Sequence, residues 1–219
     1  MDKGIFFTFE GCDGSGKSTQ AKLLSEWMKQ RNILHIITKE PGSSEIKECV
    51  KFRNLVLDPD NDFVPIAELM IFLADRAQHV EKLIKPSLEK GIHVICDRFR
   101  DSTIVYQSAR GLSRHKIDMM LDFVTGGLTP DMTFLLDIPH DIGLNRAKGK
   151  NKSGDRMENA GNKFHEDVRH GFLKLAESLS EQHRFVVIDV APPKTIEETQ
   201  KQIIKHVSTK LWIPGEEND

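Results

Sequence analysis

A doubly wound α/β sheet is the fold class that this sequence predicts, and three observations carry the prediction. Five short β-rich runs recur along the chain without clean alternation, as strands buried on both faces do. Longer stretches with helical spacing separate them. The first run feeds a glycine-rich loop and then a helix, the setting of a phosphate cradle. Ligands of such sheets sit beyond the carboxyl ends of the strands.

The strand-like runs are Ile5–Phe9, Ile33–Thr38, Ile92–Cys96, Met132–Ile138 and Phe185–Val190. Ala21, Leu24 and Met28 mark the helix after the first of them. A long helix is expected from Pro65, well placed as a first helical residue, through Ile66, Leu69, Met70, Leu73, Ala77, Val80 and Ile84. A short one after the third run carries Ser102, Thr103, Tyr106 and Gln107. Another, holding Ile117, Met120, Leu121 and Val124, follows a cap at Ser113 and ends at Gly126-Gly127. The 219 residues suit one domain over 1–213, with a frayed acidic tail over 214–219.

Composition excludes several function classes. Thirty-one Lys+Arg against 33 Asp+Glu leave a formal charge of −2, so the chain is not a globally basic nucleic-acid binder. Apolar strings of a few residues fall far short of the ~18–20 that a membrane helix needs. Three widely spaced cysteines suit a reducing compartment, and a cytoplasmic location is expected.

Gly11-Cys12-Asp13-Gly14-Ser15-Gly16-Lys17-Ser18, followed by Thr19, is the Gly-x-x-x-x-Gly-Lys-Ser phosphate loop. Its glycines let backbone N–H groups converge on one oxyanion, and the helix amino terminus adds partial positive charge. Lys17 reaches the terminal phosphates of a nucleoside triphosphate, and the Ser18 hydroxyl suits Mg²⁺. The motif leaves the acceptor open. A guanine-reading Asn/Thr-Lys-x-Asp sequence does not occur.

Four further segments suit a second substrate. Lys39-Glu40-Pro41-Gly42 follows the second strand, at the ligand edge. Phe72 and Arg76, four residues apart, share a helix face and offer a planar polar ligand a ring and a cation. The third strand ends in Asp97-Arg98, an acid that suits Mg²⁺ through water and a fork that suits phosphate. A basic stretch over 148–156, part of an expected lid at about 147–160, would bring charge to the transferring group and exclude water.

These segments resemble bacterial thymidylate kinase. The resemblance rests on Phe9 through Gln20, Glu40-Pro41-Gly42, Arg53 through Leu57, Phe72-Leu-Ala-Asp-Arg76, Asp97-Arg98-Phe99 with Ser102 and Tyr106-Gln107, and Asp155-Arg156-Met-Glu158. It covers about residues 4 to 200 in the family's order. It implies a five-stranded parallel sheet, a homodimer packed through helices, and phosphoryl transfer from ATP to dTMP with Mg²⁺. On this resemblance Phe72 stacks on thymine while Arg76, Thr103 and Gln107 bond its edge. Arg53 and Arg98 hold the monophosphate, Asp13 engages the sugar 3′ side, and Tyr106 lies against the deoxyribose; Glu40, Pro41 and Ser102 complete the acceptor set. Lys17, Asp13, Arg98 and Arg156 are the expected catalytic residues. Gly11, Asp13, Gly14, Ser15, Gly16, Lys17, Ser18, Thr19 and Arg146 are expected on ATP, and Ser18 with Asp97 on the metal. The lid set is Lys148, Lys150, Lys152, Asp155, Arg156 and Glu158, with lysines where bacterial relatives often carry arginines. A kinase for another nucleotide or a nucleoside, and a nucleotide-sensing module without catalysis, remain the alternatives.

Overall fold

The computed structural model describes residues 3–150, 156–157 and 160–213, with backbone alone for 148–150. Lys152, Asp155, Glu158 and the expected tail lie outside the described residues. The five strands are β1 (Phe6–Glu10), β2 (His35–Lys39), β3 (His93–Asp97), β4 (Met132–Asp137) and β5 (Phe185–Asp189). Their order is β2-β3-β1-β4-β5, and every neighbouring pair is parallel. This is the doubly wound five-stranded sheet expected.

Helices α1 (Lys17–Gln30) and α9 (Ile196–Lys210) cover one face, and α2 (Lys47–Leu57), α3 (Pro65–His79), α5 (Arg100–Ala109), α6 (Arg114–Thr125) and α8 (Asn162–Glu177) belong to the other side. The period-2 alternation of β1 divides the two cores. Phe7 and Phe9 pack with Leu24, Met28, Ile203 and Val207. Phe6, Thr8 and Glu10 point the other way, where Phe6 meets Phe99 edge-on at 4.9 Å. Glu10 is therefore buried by the same periodicity that buries Phe6.

Local chemistry alters three expectations. The long helix is regular only to His79; Val80–Ile84 form a π-helical turn before α4 (Lys85–Glu89). Pro86 has no N–H for the Lys82 carbonyl and its ring would collide with it, so the turn widens. Ser113 occupies the N-cap of α6 but makes no side-chain cap bond. The basic stretch is not wholly loop, because α7 (His140–Lys150) runs helical through its first three residues.

Candidate active site

Parallel register builds the site. Phe9 pairs with Asp97 and Lys39 pairs with the same residue, so the ends of β1, β3 and β2 lie in one row. Glu10-Gly11, Asp97-Arg98 and Lys39-Glu40 thus leave the sheet together, as the topology of such folds demands.

The phosphate loop bridges β1 and α1. A Cβ on Gly14 would lie 1.9 Å from the Gly143 oxygen, and one on Gly143 would lie 2.4 Å from the Asp13 oxygen. The loop and the start of α7 therefore pack backbone against backbone, which only glycines permit. Lys17 is buried and its Nζ donates to the Gly11 and Cys12 carbonyls at 3.1 and 2.7 Å. Ser18 Oγ donates a short bond to Asp97 Oδ2 across the β1–β3 seam. Arg146 is exposed on α7, three residues past the Gly143 contact.

Arg98 holds a left-handed backbone, φ 72, a conformation a side chain adopts at a cost of roughly 1–2 kcal/mol. Its Nη1 donates to the Gly11 carbonyl at 3.1 Å and to Ser102 Oγ at 3.0 Å. Its Nη2 meets Asp13 Oδ1 at 2.5 Å, and its guanidinium lies over the Tyr106 ring. Burial pushes the Asp13 carboxyl up, but Arg98 and then Lys17 outweigh it and hold it below the usual range. Ser102 Oγ passes the contact on to Glu10 Oε2 at 2.6 Å, and Glu10 Oε1 accepts the Phe99 N–H at 2.7 Å.

Burial first, and Asp101 second, push Glu10 up to about 7 against the opposing pull of Arg98. A carboxyl whose folded value is raised keeps its proton longer in the folded state, so stability is lost as pH rises from the ordinary carboxyl value up to that one. Asp75, raised to about 6 by burial and Glu40, completes its own change lower down. Between about pH 4.5 and 7 the wild-type Tm is therefore expected to fall, and Glu10→Gln to flatten the fall, most clearly above about pH 6, as read by thermal melts. A variant with the wild-type slope would place that titration elsewhere.

All the residues expected on dTMP line one cavity, joined by Leu57, Asp75 and Met157. Arg53 reaches it over Gly42, where φ is 86 and a Cβ would strike the arginine stem at 2.5 Å. Its Nη1 is tethered to the Pro41 carbonyl at 2.9 Å. Arg76 is buried with three partners: Nε on Glu40 at 2.7 Å, Nη1 on Thr103 at 2.7 Å and Nη2 on the Phe99 carbonyl at 2.9 Å. Burial pushes Glu40 up, yet Arg76 and His79 overcome it and hold the carboxyl low. Phe72 stands half-buried in the wall, and Tyr106 is braced edge-on by Phe164 and Phe172.

Arg156 is placed elsewhere than over the phosphate loop's own atoms. It bonds Glu68 and the Val56 and Leu57 carbonyls, with Phe63 beneath its guanidinium. Its neighbour Met157 enters the acceptor cavity wall. The expected lid arginine thus lies against α2 and α3, at Val56, Leu57 and Glu68, in this structure.

Sequence reasoning passed over Glu10, Glu68, Asp75 and His79. The last three are buried polar residues that share a stripe of α3 with Phe72 and Arg76, at spacings of three and four. The signal was present: five chemistry-bearing residues on one face of an otherwise apolar helix. Among the described residues, no group of three or more His, Cys, Asp or Glu could hold a metal ion. Ser18 and Asp97 nevertheless supply a hydroxyl and a carboxylate, hard oxygen donors suited to Mg²⁺ held mainly by substrate phosphates.

Comparison with known proteins agrees with this geometry. The family model for thymidylate kinase matches residues 9–203. A thymidylate kinase of Carboxydothermus hydrogenoformans is 45% identical, over 85% of this chain and 89% of its own. One of Lactobacillus acidophilus is 42% identical, over 95% and 96%. The crystal structure of thymidylate kinase from Ehrlichia chaffeensis superposes with a TM-score of 0.75 at 34% identity, covering 94% of this chain and 99% of that one.

Proposed function

The chain belongs to the thymidylate kinase family and transfers a phosphoryl group from ATP to dTMP, and we propose the following division of labour among its residues. Lys17 and the loop amides from Gly11, Gly14, Ser15 and Gly16 onward hold the ATP phosphates, with Thr19 beside them and Arg146 reaching in from α7. Arg98 and Arg53 orient the dTMP phosphate. An oxygen of that phosphate attacks the γ-phosphorus in line, the bond to the bridging oxygen breaks, and ADP leaves as dTDP forms. The attacking oxygen is already ionised near neutral pH, so positioning and charge neutralisation carry the step without a strong general base. Ser18 and Asp97 would hold Mg²⁺, which when bound neutralises phosphate charge.

On the acceptor side, Phe72 stacks on the base, Arg76 and Gln107 bond its edge, and Thr103 steadies Arg76. Tyr106 fills the space a ribose 2′-hydroxyl would need. Glu40 and Pro41 shape the phosphate end with Arg53, and Asp13 holds Arg98 beside the sugar. The single observation that carries the reading is the convergence of this set on one cavity beside the phosphate loop. The test is ADP release across a panel of mononucleotides. Turnover should require ATP, Mg²⁺ and dTMP together, with dUMP about fourfold poorer for want of a buried methyl and dGMP nearly inert. Comparable kcat/KM for dGMP, or turnover without an acceptor, would reject the assignment.

The homodimer and the cytoplasmic location are proposed on separate grounds. Ile66 and Met70 on α3, and Met119 and Phe123 on α6, leave apolar side chains exposed at i, i+4 spacing on two helices that pack together. Such a face suits a second copy. Phe123→Glu is expected to sediment as a monomer where wild type sediments as a dimer, and a dimeric variant would move the interface elsewhere. The three cysteines are unpaired and buried, which suits a reducing compartment. Among the described residues no helix is long and apolar enough to cross a membrane.

A further inference from the structure

Gln107 lines the acceptor cavity with a fully buried amide whose Oε1 has no hydrogen-bond partner among the described residues. Its Nε2 donates to Glu68 Oε1 at 2.7 Å. The two ends of an amide are nearly equal in shape, so the partner decides which end faces outward. Glu68 is 1% exposed and does not line the cavity. Its Oε2 forms an ion pair with Arg156, and Arg110 Nε stands 3.6 Å from Oε1. A carboxylate held between guanidiniums has only acceptors to offer. Gln107 must therefore turn its NH₂ towards Glu68 and leave its carbonyl to the cavity.

We propose that Glu68 is a positioning residue for base choice: it fixes the Gln107 amide so that the site demands a ring N–H donor. Thymine and uracil present that donor at N3. Cytosine presents an acceptor there, and two buried acceptors facing each other leave both unpaired. The inference rests on the reading above that Gln107 meets the base. Arg156 gives the arrangement a second anchor, because its segment places Met157 in the cavity wall and pins the Glu68 oxygen that Gln107 does not use.

Glu68→Gln tests the proposal with little change of shape. The new amide must give its carbonyl to Arg156, which can only donate, so its NH₂ faces Gln107. Gln107 then turns over and shows its own NH₂ to the cavity. The ratio of kcat/KM for dTMP to that for dCMP is expected to fall about tenfold or more, while Glu68→Asp, still acceptor-only, keeps the wild-type ratio. Gln107→Leu is measured beside it. An unchanged ratio in Gln107→Leu overturns both the inference and the reading of Gln107. If Gln107→Leu collapses the ratio but Glu68→Gln lowers both substrates equally, or lowers only Tm, the reading stands and the inference is overturned. Adding Glu68→Gln to Gln107→Leu should change the ratio no further, and a further tenfold fall would route the effect past Gln107. Glu68→Leu removes the carboxylate without offering a donor and serves where Glu68→Gln does not fold; a wild-type ratio in that folded variant overturns the proposal.

Discussion

Arg98→Ala is expected to lower kcat/KM for dTMP by about 10³-fold, the largest single loss in the acceptor site. The guanidinium is held by the Gly11 carbonyl, Ser102 and Asp13, and backed by Tyr106, so its fork is set before substrate arrives. Each hydrogen bond to a charged group is worth about 1.5–3 kcal/mol, and two on one phosphate give ~10²–10⁴ in rate. Arg98→Lys should recover little, because an ammonium lacks the planar fork. The backbone supplies a control. At φ 72 a glycine relieves strain that alanine keeps, so Arg98→Gly should melt above Arg98→Ala while remaining as inactive. Equal melting points with activity within a few-fold of wild type would remove Arg98 from both roles.

Lys17→Met is expected to cost ~10²–10³ in kcat, the loss typical of one preorganised donor aimed at developing charge. Lys17 is the only cation within the phosphate loop. Burial, helped by Arg98, holds its pKa below the usual lysine value, and Asp13 and Asp97 oppose that shift. Its Nζ now serves the Gly11 and Cys12 carbonyls, which places the ammonium at the loop's mouth. The contact strengthens as charge moves to the leaving oxygen, so kcat should fall more than KM for dTMP rises. Single-turnover phosphoryl transfer is the measurement, since product release could mask the chemical step. A loss confined to KM for ATP would make Lys17 a binding residue alone.

The two variants differ in how far their neighbourhoods were legible. Lys17 stands in a contiguous motif whose spacing is its geometry, because strand, loop and helix follow one another without interruption. Arg98 was legible as a residue type at a strand end. That its fork would be locked by Asp13 and the Gly11 carbonyl depended on the β1–β3 register, which no local spacing encodes.

The same division runs through the molecule. The phosphate loop, the five strands within a residue or two, and the shared helix face of Phe72 and Arg76 were legible along the chain, because all three are periodicities or contiguous patterns. The sequence also determined which residues would surround the acceptor cavity, through a family resemblance spread over most of the chain. Tertiary contacts alone bury Glu10 behind Ser102 and pair Arg156 with Glu68. Those contacts join residues tens of positions apart, and burial sets their consequence: a carboxylate away from water must find its donors within the fold.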